Sequence, residues 1–323
     1  MRRREFLRLA GASVAAGFST RVSAQAQNWP DKPVKLVLPY APGGATDLIG
    51  RPWAEKLTQA FGQQFVIENR GGAGGMIGTE TASKAAADGY TFLLTPNATL
   101  SVLPNMRKTP YDPVKSFDPV ARVGDLVCGF VIHPAVGPKN FAEMIAYAKA
   151  NPGKLSYGSA GLGTSTQLRL EMLKYRAGID ILHVPYRGSA DALNDLLPNT
   201  VQMMNEINVL PHVKAGKLIL LDINYGERHP DFPDIPTLTE CGYPNSDVPI
   251  WYSIFAPAGT PQDIIAKLNA KVAEITATDE MKARMRSINV IVPTQTPEQM
   301  AKHLVEDLGR NGEIIKAANI KLE

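Results

Sequence analysis

Two glycine-rich turns carry the clearest chemistry in this chain: Tyr40-Ala41-Pro42-Gly43-Gly44-Ala45-Thr46-Asp47 and Gly158-Ser159-Ala160-Gly161-Leu162-Gly163-Thr164-Ser165-Thr166. Each joins an apolar, strand-like run to a helical one. Glycine lets the backbone turn tightly and approach a ligand, while the helix start that follows presents free N–H groups and a partial positive charge. A carboxylate or phosphate can be held there without any basic side chain. Two such cradles suggest a ligand clamped between two lobes, with Gly43 and Gly44 on one side and Ser159, Gly161, Gly163, Thr164 and Ser165 on the other.

The elements that must position these turns alternate along the chain. Apolar, β-rich runs at 34–39, 64–67, 91–94, 126–132, 154–157, 181–184, 201–204 and 217–222 are separated by helix-like segments, which predicts α/β lobes with largely parallel sheets. Asn140 with Glu143 reads as a capping box, and Asn151-Pro152-Gly153 stops the helix that follows. Thr260-Pro261 and Thr296-Pro297 are expected to start two more, with threonine capping and proline at the first helical position. Pro52 should kink its helix or tighten the first turn.

Residues 1–24 read as an export signal: Arg2, Arg3 and Arg4, a weakly apolar stretch at 9–18, and Val22-Ser23-Ala24 as a cleavage site. The twin-arginine route is the expectation. Without that segment the chain loses five of its 34 basic residues and one of its 31 acidic ones, leaving 29 against 30. The basicity belongs to the leader. With no basic run, a nucleic-acid partner has no electrostatic support. Cys128 and Cys241 are the only cysteines, expected as free thiols, and no Cys/His spacing suits a metal. His133, His183 and His212 have no spacing to acids or serines that would build a triad.

About 299 residues then remain, which predicts two domains. The motifs and their order resemble the extracytoplasmic solute receptors of tripartite tricarboxylate transporters, the Bordetella uptake proteins. The likeness runs through Trp29-Pro30-Asp31-Lys32-Pro33-Val34, Pro42-Gly43-Gly44-x-x-Asp47, residues 67–78, Asp88-Gly89-Tyr90-Thr91, residues 148–154, Gly161-x-Gly163-Thr164, His183-Val184-Pro185-Tyr186-Arg187-Gly188, Ala215-Gly216-Lys217-Leu218 and residues 255–261. The resemblance implies a two-lobed, type II-like periplasmic-binding-protein fold with a hinge and an interlobe cleft. Lobe 1 would comprise 25–126 and 251–323, lobe 2 would comprise 127–250, and the hinge would lie near 124–127 and 248–253. It implies a non-catalytic, cofactor-free receptor, expected as a monomer, that delivers a small carboxylate to a permease of one large and one small subunit.

By that resemblance, Gly43 and Gly44 on one lobe, and Gly161, Gly163, Thr164 and Ser165 on the other, hold the ligand carboxylate through backbone N–H groups and bridging waters. Asp47 either meets an ammonium or amide of the ligand or only caps its helix. Tyr40 and Tyr186 could stack on a ligand or donate a hydroxyl, and Ala73, Gly74, Thr95 and Asn97 should edge the same cleft by topology. Gln167 replaces a histidine usual in relatives. Met203-Met204-Asn205-Glu206 replaces a Phe-Asp stretch, so flexible thioethers beside the Asn205 amide are expected to make the pocket less acidic. The ligand stays open between a C4 or C6 dicarboxylate, citrate, an aromatic acid and an acidic amino acid. Two other readings remain: a receptor reporting to a membrane sensor kinase, and an exported dinucleotide-dependent enzyme, since Gly158-x-x-Gly161-x-Gly163 faintly resembles a Rossmann fingerprint in the wrong glycine order.

Overall fold

The computed structural model describes residues 28–244 and 246–320, so the expected leader and its cleavage site lie outside the described residues. Two mixed sheets are each flanked by helices. In chain order the strands are β1 (Val34–Leu38), β2 (Phe65–Asn69), β3 (Thr91–Pro96), β4 (Phe117–Leu126), β5 (Val131–Ile132), β6 (Ser156–Ser159), β7 (Leu182–Pro185), β8 (Met203–Met204), β9 (Ile219–Leu220), β10 (Trp251–Pro257) and β11 (Val290–Ile291). The first sheet runs β11-β4-β10-β3-β1-β2 and the second β7-β6-β8-β5-β9. The chain therefore passes from the first sheet to the second after Leu126 and returns before Trp251.

The largely parallel expectation is corrected by three strands. β1 pairs in parallel with β2 and β3, and β6 with β7 and β8, but β10 is antiparallel to both neighbours, β3 and β4, as β11 is to β4 and β5 is to β8 and β9. The segment around 251, expected as hinge alone, enters the middle of the first sheet. Every residue of β10 is buried, which is why it lacks the alternation of a half-exposed strand. β4 was hidden by Pro119, Arg122 and Asp125. Register shifts between Tyr252 and Ser253 and between Ile254 and Phe255 accommodate Pro119, and Arg122 pairs with Asp125 at 2.5 Å inside the fold.

The helices that matter for the site are α1 (Ala45–Phe61), α2 (Met76–Ser83), α3 (Phe141–Ala150), α4 (Ser165–Ala177) and α5 (Ser189–Leu196); α6 (Gln262–Ala277), α7 (Asp279–Ser287) and α8 (Pro297–Ala317) follow. Helix α3 is capped by Asn140, whose Oδ1 accepts from the Glu143 N–H at 2.9 Å, and Thr296 and Gln299 form a reciprocal capping box on α8. The third expected cap is absent. Pro261 itself occupies the N-cap of α6, and the Thr260 hydroxyl donates to the Pro257 carbonyl at 2.7 Å instead. Helix α1 runs through Pro52 without interruption and ends at Gly62, whose φ is +69°. Among the described residues no helix is long and apolar enough to cross a membrane, and both cysteines are free thiols.

The expected continuous strand at 126–132 is broken because residues 127–130 lie against 221–224. The Asn224 N–H donates to the Cys128 carbonyl at 2.7 Å, and the Leu221 N–H to the Phe130 carbonyl at 2.8 Å. A Cβ on Gly129 would sit 1.5 Å from the Asp222 carbonyl oxygen, a backbone atom that no rotamer change can remove. Gly129→Ala is therefore expected to destabilise the protein by about 3 kcal/mol, at the severe end of overpacking. Urea unfolding would read this as an earlier midpoint; wild-type stability would refute the packing account.

Candidate functional site

The two glycine turns are built in the same way. Gly43 takes φ +80° and donates its N–H to Asp47 Oδ2 at 3.0 Å; Gly163 takes φ +76° and donates to Gln167 Oε1 at 2.7 Å. In both, the residue just before the N-cap is gripped by the side chain at the third helical position, a relative of the capping box. This grip consumes one N–H and turns the next ones outward. Among the described residues, the N–H groups of Gly44, Thr46, Ser165 and Thr166 have no protein acceptor. Each helix start carries roughly half a positive charge, so two of them face one space with their donors unfilled.

That space is a narrow cavity of about 20 Å³. Its floor is Gly44, Ala45 and Thr46 from α1 and Thr164, Ser165 and Thr166 from α4, and its walls include Tyr40, Ser189, Glu206 and Tyr252. The two sides touch. Ser189 Oγ accepts the Ala45 N–H at 3.1 Å, and Ser165 Oγ donates to Asn97 Oδ1 at 2.9 Å. At the rim, a Cβ on Gly74 would lie 2.1 Å from the Leu162 carbonyl oxygen, so backbone from the two lobes meets there without side chains between.

The residues singled out from sequence fall into three groups. Tyr40, Gly44, Thr164 and Ser165 line the cavity. Ala73, Gly74, Gly161 and Tyr186 border a separate open hollow with Arg107 and Arg187, and Tyr186 donates its hydroxyl to Asp195 at 2.6 Å. The remaining ones stand behind the surface. Gly43 and Gly163 have given up their N–H groups, and Thr95 is hydrogen-bonded within its own turn to Thr99 at 2.8 Å. Ser159 Oγ lies 2.6 Å from His183 Nε2, whose ring is pushed down to about 4 by burial and by Lys174 and is neutral at pH 7. Asn97 ties β3 to α8 through Asp307 at 2.9 Å, while Asn205 Oδ1 accepts from Arg169 Nη1 at 2.6 Å.

Asp47 is used by the protein on both oxygens and does not line the cavity. It accepts from Arg51 Nε at 2.7 Å and Nη2 at 3.1 Å, from Gly43 N, and from Asn69 Nδ2 at 3.3 Å. Burial alone would raise its carboxyl, but Arg51, the Gly43 N–H and Asn69 outweigh that and hold it below its usual value. Gln167 does the same mechanical job in the other cradle without a charge.

Glu206 was missed, and the expectation of a less acidic pocket is corrected by it. Met203 and Met204 are fully buried in the second sheet, whereas Glu206 is only 4% exposed and lines the cavity. Burial pushes its carboxyl up to about 7 against the opposing charge of Arg169 and the Ile207 N–H. Its Oε2 is buried without a hydrogen-bond partner among the described residues. Ser189 and Tyr252 were also missed, since nothing in their local sequence marks a helix start or a sheet strand that faces the cradles. Ala45, Thr46 and Thr166, which also line the cavity, were not singled out either, although they belong to the same glycine turns.

Two lobes with a cavity between opposed helix starts define a periplasmic-binding-protein fold. Residues 49–320 match the tripartite tricarboxylate transporter family receptor, and the chain belongs to that family of substrate-binding receptors. It is 33% identical over 315 residues to protein BugT of Bordetella pertussis, covering 95% of each chain. Among solved structures it is similar to Rpa4515 of R. palustris with adipate (TM-score 0.88, 32% identity, 91% of this chain and 99% of that one). It is also similar to MatC of Rhodopseudomonas palustris with bound malate (TM-score 0.84, 30% identity, 89% and 100%).

Asp47→Asn should lower stability at pH 7 by about 1–2 kcal/mol, the size of a lost cap, given that Arg51 is largely exposed and its pair screened. Because the folded carboxyl sits below its unfolded value, the wild-type advantage is complete above about pH 5 and fades as pH falls through the acidic range. Melting curves at pH 7 and pH 3 should show the gap between the two proteins closing; a constant gap would remove the charge from the account.

Proposed function

We propose that this protein is an extracytoplasmic receptor that closes on a small carboxylate and hands it to a permease made of a large and a small membrane subunit. The ligand carboxylate sits between the starts of α1 and α4 and accepts from the N–H groups of Gly44, Thr46, Ser165 and Thr166. Residues 1–24 direct export to the periplasm and are removed after Ala24. Residues 25–126 with 251–323 form one lobe and 127–250 the other, turning about the two strand crossings near Leu126 and Trp251. The protein performs no chemistry on its ligand.

One observation carries this reading: two helix N-termini with unfilled donors face a single cavity, which no basic side chain lines. A dehydrated carboxylate supplies the missing acceptors, and each charge-assisted bond contributes about 1.5–3 kcal/mol net. Two to four of them support micromolar affinity. The family membership and the adipate and malate in the similar structures support the same class of ligand.

A thermal-shift screen of residues 25–323 against carboxylates, amino acids and nucleotides tests it, because a ligand of the folded state raises the melting temperature. Several degrees from one class of carboxylate is the expected result; a response to nucleotides alone would overturn the reading. Closure has its own test. Gly74→Ala places a methyl against Leu162 at a position with φ +68°, so it should weaken carboxylate binding tenfold or more while the melting temperature without ligand falls only a few degrees. Unchanged affinity would show that the rim contact is not part of the bound state.

A further inference from the structure

Resting on the carboxylate-receptor reading, we propose that the ligand also carries an ammonium group and that Glu206 is the side chain that receives it. Glu206 faces the cavity, is almost entirely buried, and leaves Oε2 without a donor among the described residues. An unpartnered buried carboxylate oxygen is expensive, and such a group is retained where a ligand completes it.

The protein does not supply the partner itself. Arg169, the nearby buried cation, donates Nε to the Val248 carbonyl at 2.7 Å and Nη1 to Asn205 Oδ1 and Cys128 Sγ at 2.6 and 3.1 Å. Its Nη2 is buried without a partner, as Glu206 Oε2 is, so the two do not bond to each other among the described residues, and Arg169 also acts on Asp222, a second buried carboxylate. The other titratable groups that feel Glu206 are Tyr40, Tyr157, Tyr252 and Cys128, and its negative charge pushes all four further toward their neutral forms. None of them offers a positive charge.

The charge on Glu206 selects the ligand. Two helix starts and Arg169 bring about two positive charges, while burial pushes Asp222 up to about 8 and keeps it largely neutral at pH 7, leaving Glu206 as the carboxylate that ionises beside the cavity. A plain mono- or dicarboxylate would meet that charge as a like charge in a desolvated space and leave Oε2 without a donor. A molecule with one carboxylate and one ammonium places the carboxylate on the helix starts and the ammonium on Oε2, which turns the repulsion into an attraction.

Matched pairs differing only in the amino group test this by isothermal titration calorimetry: L-aspartate against succinate, L-glutamate against glutarate, and 4-aminobutyrate against butyrate. The expected result is that in a binding pair the amino acid is at least tenfold tighter, and that Glu206→Gln erases the difference. Wild-type protein gives a second readout that needs no variant. An arriving ammonium lowers the Glu206 pKa from about 7, so binding at pH 6 to 7 should release a proton, whereas a plain acid would raise it and take one up. Equal or tighter binding of the plain acid, proton uptake with the amino acid, or a preference that survives Glu206→Gln would each overturn the assignment. If only plain acids bind, the receptor reading stands and the role of Glu206 falls. If neither set binds, both fall.

Discussion

The site depends on a backbone device that appears once in each lobe: a glycine held at positive φ by a side chain four residues on. Gly43 with Asp47 and Gly163 with Gln167 fix the direction in which α1 and α4 begin. Without the grip, a glycine at that position would sample many conformations and the following N–H groups would not converge. With it, the unfilled donors of two helices point into one space before any ligand arrives. That is preorganisation by main chain, and on the proposed reading it lets the cavity attract an anion with no lysine or arginine among its lining residues.

The two grips differ in a way that separates structure from recognition. Asp47 is ionised, but Arg51 and Asn69 neutralise it on the protein side, so its charge is turned away from the cavity. Gln167 is neutral and needs no such screening. The charge that does face the cavity is Glu206, set at the end of the second sheet's β8 and left incompletely paired. On the proposed reading, binding generality and ligand choice reside in different residues: the helix starts serve any carboxylate, while the wall decides what else the molecule must carry.

Much of this was legible in the sequence because it is local. The glycine turns, the strand before each and the helix after each follow from conformational rules acting over a few residues, and so do the caps at Asn140 and Thr296. What escaped is non-local. β10 is covered on both faces and so lost the alternation that marks a strand, and β4 looked too polar because the partner of Asp125 is Arg122, three residues back and buried with it. Asp47 was left between two roles, since only the positions of Arg51 and Asn69 show that its oxygens are occupied. Thr95 lies in the right strand, and Asn97 and Asn205 follow the right strands, yet all three turn inward to hold the fold, and Glu206 was passed over because its burial depends on elements far apart in the chain. Sequence spacing identified where backbone donors would be; it could not say which flanking side chains would end up facing them.

The proposal that four backbone N–H groups hold the ligand carboxylate is tested most directly by an amide proton and nitrogen NMR titration with the carboxylate that gives the largest thermal shift. The account predicts downfield amide proton shifts at Gly44, Thr46, Ser165 and Thr166 as these donors gain a charged acceptor, with Gly43 and Gly163 moving little because theirs are already taken. Saturable binding that leaves those four amides where they were would contradict it.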